Sequence, residues 1–252
     1  MGLPDLLSIL EKFHSGVIAC SGMAKTFQIA IDGPVAAGKG TTAKLVAQRL
    51  GFLYVDTGAL YRALTLYVQR KGVSWEDERE VVRVLLEEKP KVGLRVPSEE
   101  EKDGRLCTVL LNGEDVSWKV RTEEVSRGVS VITQYAGVRD LITPLARQIA
   151  EKQDVVMEGR DITSVVLPDA DLLIYMDADP RERAKRRHRE LLMRGEDISL
   201  EQVYKDLMER DKRDSGRAIA PLTKVAKAWR LDTTGMTIDQ VAEAIVAKVK
   251  TV

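Results

Sequence analysis

Between Gly33 and Thr41 the chain reads GPVAAGKGT, with Gly33, Gly38 and Lys39 at the G-x-x-x-x-G-K spacing. That spacing suits the grip of a polyphosphate. Glycines let successive backbone N–H groups turn toward one anion, the following helix adds its partial positive charge, and the lysine reaches the outer phosphates. The apolar run FQIAI and Asp32 come just before, and a helical pattern follows, so the context is strand, loop, helix. Gly33, Pro34, Val35, Ala36, Ala37, Gly38, Lys39, Gly40 and Thr41 are therefore read as the cradle of a nucleoside triphosphate, with ATP the expected ligand. Gly40 stands where Ser or Thr usually follows the lysine; Thr41, one position later, is the candidate magnesium neighbour. A glycine-rich turn that holds nothing is the bland alternative, and motif and context together weigh against it.

A donor cradle leaves the reaction open, so a second set of cations matters. The apolar run Phe52 to Val55 ends in Asp56-Thr57-Gly58, with Arg62 one helical turn later. The run Val155 to Glu158 ends in Gly159-Arg160-Asp161, again at the carboxyl edge where α/β folds bind ligands. Arginine suits this work because its planar fork grips phosphate oxygens in pairs. One arginine at a strand end is often surface decoration; two flanking one loop point to a phosphorylated acceptor. In ERDKRDSGR, Arg210, Asp214 and Arg217 fall at i, i+4 and i+7 and would share a helix face, although an internal ion-pair ladder has the same spacing. Arg183 and Arg187 occupy one face of RERAKRRHRE, either closing over donor phosphates or simply solvated. His188 falls on an apolar stripe with Ala184, Leu191 and Leu192 and is not read as a catalytic base.

Short apolar runs alternating with amphipathic helices must position these groups, a pattern of α/β type with a parallel sheet covered on both faces. Strands are predicted over Phe27 to Ile31, Phe52 to Val55, Val155 to Glu158, Leu172 to Met176 and Trp229 to Leu231. Helices are predicted over Lys39 to Leu50, Ala59 to Lys71, Val138 to Glu151, Pro180 to Met193, Leu200 to Lys212 and Ile238 to Lys248. Lys91 to Val96 and Leu106 to Leu111 alternate like a small antiparallel hairpin around an acidic loop, Pro97 to Gly104, and mark an inserted subdomain.

The 252 residues are enough for one large domain carrying such an insert. Lys plus Arg and Asp plus Glu stand at 39 each, so the global charge gives no support to a nucleic-acid partner. No stretch approaches the roughly 20 apolar residues that cross a bilayer, and no membrane partner is expected. Cys20 and Cys107 lack the CxxC spacing of zinc sites, and two cysteines do not make a disulfide framework; reducing cytoplasm is the expected compartment. The first residues, with Leu6, Leu7, Leu10, Phe13 and Val17 at helical spacing and a lone His14, precede a second methionine, Met23, and lack the layout of a signal peptide.

The combination GPVAAGKGT, DTGALYR, EGRDITSVVLPDA and ERDKRDSGRAIAPL, with RTEEVSRGVS and the hairpin insert, strongly resembles the bacterial cytidylate kinases from about Phe27 to the C-terminus. The resemblance implies a P-loop NTPase-like, three-layer parallel-sheet core (25–61, 150–178 and 218–252) behind an N-terminal extension (1–24). It adds an acceptor-binding subdomain (62–149) and a lid (179–217). It implies ATP-dependent phosphorylation of CMP and dCMP, with magnesium, by a monomer. Matching positions give Thr57, Arg62, Arg160 and Arg217 to the acceptor phosphate, Ser130, Arg139 and Asp161 to the base, and Arg210 with Asp214 to the sugar. Lys39, Arg160, Arg210 and Arg217 would stabilise the transferring phosphoryl group. The base assignment has its own logic, since cytosine offers an amino donor to a carboxylate and acceptors to Arg139 and Ser130, while uracil reverses part of that pattern. Two rivals stay open: another acceptor on the same core (uridylate, adenylate or a non-nucleotide), and a nucleotide switch without acceptor, against which no NKxD guanine signature is present.

Overall fold

The structure is a computed structural model and describes residues 25–252 apart from 102 and 194; the expectations for the N-terminal extension, including Cys20 and His14, lie outside the described residues. Five strands form one parallel sheet: β1 (Gln28–Asp32), β2 (Leu53–Asp56), β6 (Val155–Glu158), β7 (Leu172–Asp177) and β8 (Trp229–Asp232), in the order β2-β6-β1-β7-β8. Side chains that alternate along the strands feed two separate cores. Ile29, Ile31, Val156, Ile174 and Met176 face one side with Ala43, Val46 and Ala47 of α1 (Lys39–Leu50) and Val241, Ala242 and Ile245 of α8 (Ile238–Val249). Ala30, Val155, Met157 and Leu173 face the other, with Ala146 and Ala150 of α5 (Ala136–Lys152). These strands are buried on both faces, as parallel strands between two helical layers must be.

Crossovers run to one side of β1 and later to the other, so the chain reverses its winding there, and the loop after β1 opens at the carboxyl edge. Helix starts follow the side chains that cap them. Asp56 accepts from the Ala59 amide and starts α2 (Thr57–Arg70) two residues before the predicted Ala59. Asp77 caps α3 (Glu78–Glu88) and Thr122 caps α4 (Glu123–Ile132), two helices absent from the sequence reading. Helices α6 (Pro180–Met193) and α7 (Leu200–Gly216) form a pair between β7 and β8, with Ser199 capping α7.

The predicted hairpin is present as β3 (Val92–Arg95) against β4 (Thr108–Leu111). A third strand, β5 (Glu114–Asp115), extends it across a tight turn at Asn112-Gly113, both with positive φ (52° and 85°). Asn-Gly between two extended segments is a strong hairpin signal, and it was there to be read. Val109 and Leu111 of this sheet, with Cys107 just before β4, join the core that holds Leu60 and Leu64 of α2.

Helix α4 lies close on α2 because residue 128 is glycine. A Cβ there would stand 2.5 Å from Trp75 Cε2 and 2.7 Å from Thr65 Cγ2. Gly128→Ala is therefore expected to lower the unfolding free energy by about 1–3 kcal/mol in urea titration. Stability within about 0.5 kcal/mol of the parent would mean that the indole yields freely.

Candidate active site

The loop from Gly33 to Gly38 turns through backbone conformations that its residues dictate. A Cβ on Gly33 would overlap the Met176 carbonyl oxygen, so only glycine lets the loop leave β1 against β7. Ala36 and Gly38 have φ of 59° and 88°, and Gly38 is the residue from which α1 starts. Lys39 is buried, and its Nζ donates to the Pro34 carbonyl across 2.8 Å. Burial first, and Arg160 second, lower the Lys39 ammonium to about 7; Glu158 and Asp32 pull the other way.

Each of the five parallel strands ends in an acid. Asp32 is fully buried and accepts from Ile162 N (2.9 Å), Thr163 N (2.7 Å) and Thr163 Oγ1 (2.6 Å). It thereby ties the start of the loop to the wide helical turn Ile162–Val166 that follows Gly159-Arg160-Asp161. Asp56 caps α2, Asp177 accepts from Ala178 N, and Asp232 accepts from Thr234 N. Glu158 takes a hydroxyl instead, Tyr54 at 3.2 Å, and shares the cleft with Lys39. Burial raises its pKa, with the neighbouring Asp56 adding to the rise and Lys39 opposing it.

Opposite the loop, Arg62, Arg121, Arg160, Arg210 and Arg217 line the same cleft, whose volume is ≈ 290 Å³. Arg62 donates to Ser126 Oγ (2.8 Å) and the Val120 carbonyl (3.3 Å). Arg160 Nε donates to Asp214 across 2.9 Å. Arg139, Asp161 and Arg217 form a buried chain: Arg139 is ion-paired to one oxygen of Asp161, and Arg217 lies 3.7 Å from the other. Arg139 also lies over the Tyr61 ring at 5.6 Å and donates to the Thr133 carbonyl. Burial lowers Arg62 to about 10 and Arg210 to about 9, and neighbouring arginines deepen both shifts. The electrostatics are those of a site for anions.

The family described as cytidylate kinase matches residues 29–251. Named cytidylate kinases of Bacillus licheniformis and Shouchella clausii are 45% and 43% identical over 223 and 228 residues; the alignments cover 88% and 90% of this chain and 96% and 98% of theirs. The chain belongs to the cytidylate kinase family. A solved but uncharacterised protein from Eubacterium ventriosum shares the fold alone, at TM-score 0.50 and 13% identity over 90% of this chain and all of that one.

Most positions expected from the cytidylate kinase resemblance come together. Val35, Ala36, Gly38, Lys39, Gly40, Thr41, Thr57, Arg62, Ser130, Arg139, Arg160, Asp161, Arg210, Asp214 and Arg217 all line the cleft. Gly33, Pro34 and Ala37 belong to the loop without lining the cleft. Thr57 donates to the Glu158 carbonyl (2.9 Å), and Ser130 to the Ser126 carbonyl (3.3 Å).

Three expectations change. Arg217 lies past the end of α7 with φ −68° and ψ 143°, so the i, i+4, i+7 face holds only to Asp214, and Arg217 arrives by a turn of the chain. Arg183, expected over the donor phosphates, is buried and donates to the Val35 and Ala178 carbonyls while pairing with Asp211 at 2.6 Å. It braces the outside of the loop. Arg187, expected beside it, pairs instead with Glu123 of α4 and with Glu190, each at 3.1 Å. The arginine of α6 beside the donor loop is Arg186, which donates to Thr233 and stands 3.9 Å from the position of a Gly38 Cβ. His188 meets the Ile198 carbonyl at 2.9 Å, away from the cleft-lining residues. Residues missed by sequence reasoning are Arg121, Glu158, Asp32 and Arg186. All four lie inside or next to segments already singled out, where nothing but the fold tells which way a side chain points.

Gly40 is also explained. A Cβ on it would meet Glu158 Oε1 and Leu106 Cδ1 at 3.1 Å and the Tyr54 hydroxyl at 3.2 Å. The usual hydroxyl cannot follow the lysine here without moving three neighbours together. Gly40→Ser is expected to cost about 1–3 kcal/mol of stability in chemical denaturation, and an unchanged midpoint would show that those neighbours relax.

Lys39 gives a pH dependence. Its free pKa is lowered, and phosphate oxygens favour its charged form, so nucleotide binding above about pH 7 must take up a proton. ATP affinity should fall as pH rises through 7 to 9. Calorimetry in buffers of different ionisation enthalpy should show uptake approaching one proton at pH 8.5, and no uptake would mean that Lys39 is already charged.

Proposed function

We propose that the chain transfers the terminal phosphate of ATP to CMP and dCMP, giving ADP and the diphosphate, as a monomer acting on free nucleotides in the cytoplasm. The observation that carries this reading is one cleft lined both by the Gly33–Thr41 loop and by the set Arg62, Arg160, Arg210 and Arg217. Loop amides and Lys39 take the donor phosphates; Thr57, Arg62, Arg160 and Arg217 take the acceptor phosphate. Arg210 with Asp214 meets the sugar. The division into core, acceptor-binding subdomain and lid goes with this reading.

At the far end of the cleft, Asp161 suits the cytosine amino group, with Arg139 and Ser130 donating to the ring acceptors. Uridylate presents a carbonyl where cytosine has its amino group and would leave Asp161 facing an oxygen. One unpaired buried group of this kind costs about 1–3 kcal/mol.

Phosphoryl transfer asks little covalent chemistry of a protein: it aligns the two phosphates and neutralises the charge that spreads over the moving group. Among the described residues no group of three or more His, Cys, Asp or Glu could hold a metal by itself. Magnesium keeps its waters and leans on substrate phosphates with one or two protein oxygens. Thr41, with Asp56 and Glu158 on the same cleft wall, would hold it. Bound there, magnesium would supply charge neutralisation to the donor nucleotide. No general base is assigned.

A coupled assay with ATP against CMP, dCMP, UMP and AMP tests the reading. Transfer to CMP and dCMP well above the others is expected, and Asp161→Asn should reduce the preference for CMP over UMP by about 5- to 150-fold. Equal use of UMP by the parent, or an unchanged preference in the variant, would overturn the base assignment.

A further inference from the structure

Arg160 and Asp161 stand on a short arch pinned at both feet to the end of β1. The first foot is Gly159, whose N–H donates to the Ile31 carbonyl across 3.0 Å and so carries the pairing of β6 with β1 one step beyond the strand. Past it the strand direction is lost, for Asp161 has φ −143° and ψ 23°. The second foot is the pair of amides of Ile162 and Thr163. Their acceptor is not backbone but the Asp32 side chain, Oδ1 taking Ile162 N and Oδ2 taking Thr163 N together with its hydroxyl. Thr57 leans on the same arch, since a Cβ on Gly159 would stand 2.7 Å from Thr57 Oγ1.

Asp32 is followed directly by Gly33, where the donor loop begins pressed against the Met176 carbonyl. One residue therefore carries the donor loop on its backbone and the acceptor arch on its side chain. Both carboxylate oxygens are engaged, so the arch cannot pivot about a single hydrogen bond. Asp32, Ile162 and Thr163 are all buried, which shields these bonds from competing water. The acids that end β2, β7 and β8 behave differently. Asp56, Asp177 and Asp232 each take an amide of their own loop no more than three residues ahead. Asp32 reaches 130 residues along the chain, from the donor half of the site to the acceptor half.

We propose that Asp32 is a positioning residue for phosphoryl transfer, holding the donor loop and the Arg160–Asp161 arch in register so that the two bound phosphates meet in line; this rests on the two-substrate reading above. Each half keeps its own binding groups without Asp32. Alignment is what depends on it, and a misplacement of about 1 Å costs transfer about a hundredfold. A carboxylate that served stability alone would lower the melting temperature and leave the turnover of folded enzyme unchanged.

Single-ligand affinities set against turnover separate the two roles. ATP and CMP are each titrated alone by calorimetry, and kcat is measured with both saturating, for the parent, Asp32→Asn, Thr163→Val and Thr163→Ser, with thermal melts to establish folding. Asparagine keeps the size but has one acceptor oxygen, and sets an NH2 group where the carboxylate met N–H donors. Asp32→Asn is expected to lower kcat by about 100-fold, with each ligand alone bound within about threefold of the parent. Thr163→Val removes the hydroxyl and keeps both amides; it should lower kcat less, and Thr163→Ser should keep the parent value. A parental kcat in folded Asp32→Asn overturns the proposal, and so does weaker binding of either ligand alone with kcat unchanged. If Asp32→Asn does not fold, the Thr163 variants decide: equal kcat in the two overturns the proposal, and a deficit in Thr163→Val that Thr163→Ser lacks upholds it. If the parent transfers no phosphate to CMP, the proposed function fails on its own, and the same comparison is made with whichever monophosphate accepts.

Discussion

Gathering Lys39, Arg62, Arg121, Arg160, Arg210 and Arg217 around one cleft sets like charges against one another, and much of the structure serves to bear that repulsion. The lowered proton affinities of Lys39, Arg62 and Arg210 record it: burial makes each charge costly, and the other cations add to the cost. Carboxylates are interleaved so that no arginine faces only its own kind. Asp214 stands with Arg160, Asp161 between Arg139 and Arg217, and Asp56 near Arg121. Partial neutralisation is what the site requires. Full pairing would spend the donors; Arg210 Nε, Arg217 Nη2 and Arg121 Nη2 remain buried without a hydrogen-bond partner among the described residues.

Such a charge array needs a stiff support, which the carboxyl edge of the sheet provides. Acids at the strand ends take up the N–H groups of the loops that follow, so the loops begin from fixed points. Asp32 does this across the site. It ends the strand that carries the donor loop, and its carboxylate holds the amides just beyond Arg160 and Asp161, so one buried group sets the position of the two halves relative to each other. A buried carboxylate satisfied by three donors is tolerable where an isolated one would not be.

The parts legible in the sequence were those governed by local rules. The loop motif, the five core strands and the long helices follow from spacing and alternation, and the arginines at the strand ends were found because strand ends are predictable. What escaped was set by tertiary packing or by caps too short to stand out. Helices α3 and α4 start at Asp77 and Thr122, single residues among many polar ones. Arg183 and Arg187 share a helix face by spacing, yet one is drawn against the Gly33–Thr41 loop by Asp211 while the other reaches Glu123 of α4. No periodicity distinguishes those fates, because they depend on which neighbour the fold brings near. Arg121 illustrates the same limit: its segment was noted, its direction was not.

Two ion pairs made by α6 differ in burial. Arg183 with Asp211 is largely buried and locks α6 and α7 onto Val35, so the donor loop and the helices over it form one body. Arg187 with Glu123, which ties those helices to α4, has its carboxylate more than half exposed (57%). A pair of that kind is worth about 0–1 kcal/mol. The firmer pair thus fixes α6 and α7 to the Gly33–Thr41 loop, while the pair that ties α6 to α4 lies at an exposed rim.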